Sequence, residues 1–232
     1  MLTLWIGNKN YSSWSLRPWV AMREAGIPFE ERVVPFHDAD AWAAFRPTSP
    51  NGQVPMLEDD GIRISDSLAI IEHLAETHPA LWPEDRAARA FARMAAATMH
   101  SGFHALRNVC GMNVGVRARV RDLPEAVTGD LVRLSDLWST GLASFGGRFL
   151  AGDRFTAADA FFCPVAFRIR TYGLTVPDDV AAAYAARLLD VPAMRDWNAQ
   201  ALAEPFRDPP HDAELSDVCD VLEDLRAPGT TP

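Results

Sequence analysis

The chain has 232 residues, 48% of them hydrophobic and 23% charged, which excludes a disordered, collagenous or disulfide-stapled protein. Asp and Glu outnumber Lys and Arg by 31 to 22, a net charge of -9, so nucleic-acid binding is not expected. No apolar run approaches the roughly 18 residues of a membrane span. The first ten residues lack a secretory signal pattern, and the three cysteines, Cys110, Cys163 and Cys219, form no C-x-x-C pair. Free thiols in a cytoplasmic protein are expected.

In chain order, Leu2 to Ile6 reads as a buried strand, followed by a polar turn over Gly7 to Ser13. Leu16 to Ala25 has helical spacing, with Gly26 and Pro28 placed to end it. Phe29 to Val34 reads as a second strand, and Trp42 and Phe45 belong to a short helix that stops before Pro47. Val54 to Leu57 and Gly61 to Ile64 flank Asp59-Asp60-Gly61, a hairpin signal. Leu68 to Leu74 completes a βαβαββα unit over residues 1–78. A proline-punctuated linker follows over 79–84. From 85 to 232 the pattern is all-helical, with helices over Arg86 to Asn108, Glu125 to Phe145, Ala157 to Tyr172, Asp179 to Leu189 and Ala193 to Ala203. The stretch from Pro205 is rich in Pro and Asp and is expected to wrap the surface or be loose.

Four segments carry candidate chemistry. Tyr11-Ser12-Ser13-Trp14-Ser15 lies between the first strand and the first helix, where ligands gather in α/β units. A hydroxyl there also sits at a helix N-terminus, which favours an anion, although a serine that merely caps the helix has the same pattern. Gln53-Val54-Pro55 enters the third strand; proline suits a strand start, and a cis bond would let Val54 offer its backbone to an extended ligand. Ser65-Asp66-Ser67 precedes an apolar helix, so one member caps it, while the helix start could hold a carboxylate and Asp66 an ammonium. Thr156 and Asp159 have capping-box spacing, a folding feature of the helical part.

Together and in this order, the four segments resemble the soluble glutathione transferases over residues 2 to 204. Ser12-Ser13-Trp14-Ser15 is similar to the serine motif of the theta- and zeta-like classes, Gln53-Val54-Pro55 to the pre-strand cis-proline motif, and Asp66-Ser67 with Leu68 to Ile71 to the motif that grips the γ-glutamyl end. Trp14 stands where zeta-class members carry cysteine, which argues against maleylacetoacetate isomerisation, and the omega- and beta-class cysteine is missing from this loop too, which argues against thiol transfer through the enzyme's own cysteine. The resemblance implies a thioredoxin-like N-terminal domain, an all-helical C-terminal domain and a homodimer. It implies a cytoplasmic detoxification enzyme with glutathione as co-substrate and no permanent cofactor.

On that resemblance Ser12 is the hydroxyl that activates the thiol, with Ser13 and Ser15 in reserve. Gln53, Val54, Asp66 and Ser67 bind the rest of glutathione. Tyr11, Trp14, His104, Arg107 and Met112 line the electrophile pocket, a mixture suited to a hydrophobic acceptor with an anionic or polar end. Isomerisation, peroxide reduction or lyase chemistry on the same scaffold, and a non-catalytic glutathione-binding stress protein, are the rival functions. His100 and His104 are spaced i, i+4, but nothing nearby completes a metal set. Arg117, Arg119 and Arg121 read as a loop or frayed helix, and the acids from Asp208 to Glu214 as solvated surface.

Overall fold

Leu4 and Ile6 point to one face of the first strand and Trp5 to the other, and each face finds its own cover. The computed structural model describes residues 1–229; the last three residues of the expected helical domain lie outside the described residues. Strand β1 (Thr3–Ile6) runs parallel to β2 (Glu30–Val33) and antiparallel to β3 (Met56–Asp59), which pairs antiparallel with β4 (Ile62–Ser65). The sheet order is therefore β2-β1-β3-β4. Leu4, Ile6 and Leu57 pack with α1 (Ser13–Glu24) and α3 (Ser67–Thr77) through Leu16, Val20, Ile70 and Leu74. On the opposite face Trp5, Val34 and Met56 meet Phe45 and Trp42 of α2 (Ala39–Phe45). A short 3-10 turn, Pro79–Leu81, leads out of this unit.

The second part is built around α7 (Ala157–Tyr172), in which only Ile169 and Arg170 are not buried. Around it lie α4 (Arg86–Ser101), α5 (His104–Val109), α6 (Glu125–Phe145), α8 (Asp179–Asp190) and α9 (Pro192–Ala203). The helix expected over Arg86 to Asn108 is two helices. A Cβ on Gly102 would stand 2.7 Å from the Thr98 carbonyl oxygen, and Phe103 turns left-handed at φ +55°, which ends α4. Arg107 Nη1 then donates to the carbonyls of His100 and Gly102 at 3.2 and 3.1 Å, satisfying orphan groups of the broken end.

The expectation of a purely helical second part also needs correction. Strand β5 (Val116–Val120) pairs antiparallel with β6 (Cys219–Asp224). Arg117, Arg119 and Arg121 therefore belong to a strand and its end, and Arg119 and Arg121 both pair with Asp220, at 3.0 and 2.9 Å. Val116, Ala118 and Val120 alternate with the arginines, a period-2 signal whose partner lies about a hundred residues away. Nor is the stretch from Pro205 loose. It carries α10 (Pro209–Val218), and Arg226 ties Tyr11 and Asp212 together at 2.8 Å each. Asp208 is buried and accepts from His211, so it is not solvated surface either.

Candidate active site

The end of β1 and the start of α1 open onto a cleft of about 700 Å³ between the sheet unit, the α5–β5 segment and α10. Ser12 is the N-cap of α1: its Oγ accepts from Ser15 N at 3.4 Å and donates to Ser15 Oγ at 2.7 Å. Ser15 Oγ in turn accepts from Gly7 N at 3.1 Å. Ser12 and Ser13 line the cleft, whereas Ser15 is wholly buried behind them.

Val54 and Gln53 reach the cleft just before β3, and the Val54–Pro55 peptide bond is cis. Asp66 holds φ +84°, a left-handed conformation that costs a non-glycine residue about 1–3 kcal/mol. Its Oδ1 caps α3 by accepting from Leu68 N and Ala69 N at 2.8 and 3.1 Å, and its Oδ2 lies 3.3 Å from His100 Nε2. Ser67 is fully buried, lines the cleft, and its Oγ accepts from Arg17 Nη1 at 3.4 Å. Burial and the charges of Arg17 and Arg107 outweigh Asp66 and hold the His100 imidazole below its ordinary range.

Of the residues expected at the electrophile end, Tyr11, Trp14, Arg107 and Met112 line the cleft. His104 does not: as the first residue of α5, after the break at Phe103, it is exposed and outside the lining. Two cations approach the Trp14 ring, Arg17 at 4.1 Å and Arg107 at 4.8 Å from its centroid. The Tyr11 hydroxyl is engaged by Arg226 and Asp212, and burial pushes its phenol up, so it stays protonated.

Sequence reasoning missed the far wall. Arg168, Thr171 and Tyr172 near the end of α7 donate to the carbonyls of Cys110, Asn113 and Gly111 at 2.7, 2.6 and 2.7 Å, which shapes the segment carrying Met112. It also missed Phe36 of the loop after β2 and His211 of α10, stacked at 5.3 Å between ring centroids. A charge that interrupts the apolar run Ala160 to Phe167 of α7 was the available signal for Arg168.

Residues 11–77 match the family model of the glutathione S-transferase N-terminal domain, and residues 117–210 that of its C-terminal domain. The chain belongs to the glutathione S-transferase family. Maleylacetoacetate isomerase of Rattus norvegicus is 33% identical over 161 residues, spanning 66% of this chain and 72% of that protein. A glutathione transferase homolog from Burkholderia GL BGR1, solved with bound glutathione, is 26% identical with a TM-score of 0.66, covering 86% of this chain and 97% of that one. Glutathione transferase Omega 3C of Trametes versicolor, 19% identical with a TM-score of 0.65 over 88% of this chain and 90% of that one, shares the fold. The thioredoxin-like unit followed by a helical one is thus the glutathione-transferase fold, and family membership marks the chain as an enzyme. Among the described residues, no helix is long and apolar enough to cross a membrane.

Proposed function

We propose that the protein binds glutathione along the start of β3 and α3, ionises its thiol beside Ser12, and directs the thiolate at a small electrophile. The observation that carries this reading is the hydroxyl chain at the start of α1. Gly7 N–H donates to Ser15 Oγ, and the Ser12 and Ser15 hydroxyls are hydrogen-bonded to each other. Hydroxyl hydrogens rotate to suit their acceptor. With a sulfur anion in the cleft, Ser15 can donate to Ser12 and Ser12 to the sulfur, three donors in series that polarise one another. The N-terminus of α1 adds its dipole.

A thiol near pKa 8.5 is only a few per cent ionised at pH 7. Lowering that value by about two units needs about 2.7 kcal/mol of preference for the anion. A charge-assisted hydrogen bond worth roughly 1.5–3 kcal/mol, with the dipole, is sufficient. In this reading Val54 pairs with the cysteinyl backbone, Asp66 takes the ammonium, and Ser67 takes the γ-glutamyl carboxylate. Gln53 reaches that carboxylate or the glycyl end. Glutathione is a co-substrate, no permanent cofactor is needed, and two such clefts serve a homodimer.

The Ser12→Ala variant tests the reading. Thiolate absorbance of bound glutathione should appear at higher pH by about one to two pH units, with little change in affinity. An unaltered titration would hand the sulfur to Ser13, since Ser15, the other expected reserve, is buried behind the cleft wall. One observation favours a second outcome for the same thiolate: relatives such as the rat protein are named maleylacetoacetate isomerase. In an isomerisation the sulfur adds to a carbon–carbon double bond, rotation follows, and elimination restores the thiolate. Glutathione would then be required but not consumed, which a thiol count before and after turnover decides.

A further inference from the structure

Among the described residues, His211 is the one histidine of six that lines the cleft. It stands in the first turn of α10, where Asp208 caps the helix by accepting from His211 N at 3.3 Å and also pairs with His211 Nδ1. Asp208 is 5% exposed, so the carboxylate sits behind the ring and away from solvent. A carboxylate on Nδ1 holds the neutral ring with its proton there and its lone pair on Nε2. Nε2 has no hydrogen-bond partner among the described residues and is not buried. An imidazole oriented in this way is built to accept a proton.

Capping alone does not account for the pair. A cap needs only the Asp208 side chain on a backbone N–H. The ring is instead laid into the cleft, stacked on Tyr11 at 5.1 Å and 27° and on Phe36 at 5.3 Å and 13°. Both rings bring it to the Ser12 end. Tyr11 directly precedes Ser12, and Phe36 packs on Gly7, where a Cβ would stand 2.5 Å from the Phe36 ring and 3.3 Å from Ser12 Cβ. The other titratable groups around the ring are already engaged. The Tyr11 hydroxyl donates to Asp212 and accepts from Arg226, and burial keeps it protonated. Arg226 also pairs with Asp212 and Asp224. Phe36 and its neighbour Trp42 bring no charge, and Glu214 lines the cleft one turn along α10. His100 is outside the lining, with its Nε2 on Asp66.

Resting on the thiol-activation reading above, we propose that His211 is a further catalytic residue, whose Nε2 takes the proton that the glutathione thiol gives up beside Ser12 and keeps it in the cleft for the acceptor. In this step the S–H bond breaks and its electron pair stays on sulfur, under the Ser12 hydrogen bond. The proton forms an N–H bond on Nε2, directly or through one water. A neutral thiol and a neutral imidazole become a thiolate and an imidazolium, and each charge favours the other. Asp208 stabilises the imidazolium as it forms. When the thiolate attacks, an atom of the acceptor gains an electron pair. The Nε2–H bond then breaks, that atom takes the proton, and the neutral ring is restored.

The test counts protons on binding and needs no acceptor. Glutathione is titrated into the full chain near neutral pH, and the thiolate formed is read from its ultraviolet absorbance. Protons released are counted by calorimetry in two buffers of different ionisation enthalpy. S-methylglutathione, which has no thiol proton, supplies the blank for the ammonium and the carboxylates. The wild-type protein should release at least about 0.3 fewer protons than the thiolate it forms, because the imidazole retains the rest. His211→Asn keeps a donor for Asp208 but lacks Nε2, and its release should equal its thiolate to within about 0.1. His211→Phe, which keeps the stack on Tyr11 and Phe36, should do the same and guards against misfolding of the first variant. A wild-type release equal to its thiolate overturns the proposal. So does a shortfall that persists in either variant, which would give the proton to another group. Absence of any thiolate when the wild-type protein is saturated with glutathione would instead remove the parent reading, and this inference with it.

Discussion

Asp66 and Asp159 both stand at the start of an apolar helix, and their surroundings are opposite. Asp159 is fully buried and saturated: Oδ1 accepts from Leu150 N and Tyr184 Oη at 3.0 and 2.8 Å, and Oδ2 from Thr156 N and Oγ1 at 2.8 and 3.1 Å. It ties the loop before α7, the helix start and α8 into one piece. Asp66 gives one oxygen to its helix and leaves the other toward His100 in the open cleft, on a left-handed backbone. A carboxylate with every lone pair used internally serves folding. One held in a strained conformation with capacity to spare is the one the proposed reading assigns to a ligand.

The largest effect that would break this contrast is on stability. Asp159→Ala leaves two backbone N–H groups and two hydroxyls without their acceptor, and should cost about 3 kcal/mol or more. In a chain of this size that lowers Tm by roughly 6–12 °C. A thermal melt showing a loss below about 1 kcal/mol would make the start of α7 no more constrained than that of α3.

Asp66→Asn should separate the two roles at the other helix start. Asparagine caps as well as aspartate, so stability should change by less than about 1 kcal/mol. On the proposed reading the charge for the ammonium is lost, and the KM for glutathione should rise about tenfold. A large fall in Tm with unchanged KM would reverse the assignment and make Asp66 the structural aspartate.

The smallest effect concerns His100. Its pKa is depressed by burial and by Arg17 and Arg107, so its ring resonances should titrate below the ordinary histidine value in an NMR pH series. The neutral ring is favoured by folding. Its contribution to stability is present above pH 6.5 and is lost as pH falls towards the depressed value. Asp66 is the group that raises it, so Asp66→Asn should push the titration lower still. A titration at or above the ordinary value would mean that Asp66 is already committed to an ion pair and not available to a ligand.

Much of the fold was legible because local signals agreed with it. The apolar run of β1 marks a buried strand by itself, and the hairpin about Asp60-Gly61 and the capping spacing of Thr156 and Asp159 lie within a few residues of their partners. The break at Phe103 was missed although Gly102 stands beside it, since the helical period of the alanine-rich stretch continues on both sides of that glycine. The β5–β6 pairing was invisible because its halves are a hundred residues apart. His104 looked like part of the site only while α4 and α5 were read as one helix.

By itself the sequence determined the order of the elements, the hydroxyl-bearing loop after β1 and the family pattern of Gln53-Val54-Pro55 and Asp66-Ser67. These depend on spacing along the chain, and spacing is what a sequence records. Only the tertiary structure decided which polar groups are left with donors and acceptors to spare. Asp66 and Asp159 are the same residue type at similar positions, and Arg168 is one of several arginines in the chain. What distinguishes them is burial and saturation, which distant elements create when they pack together.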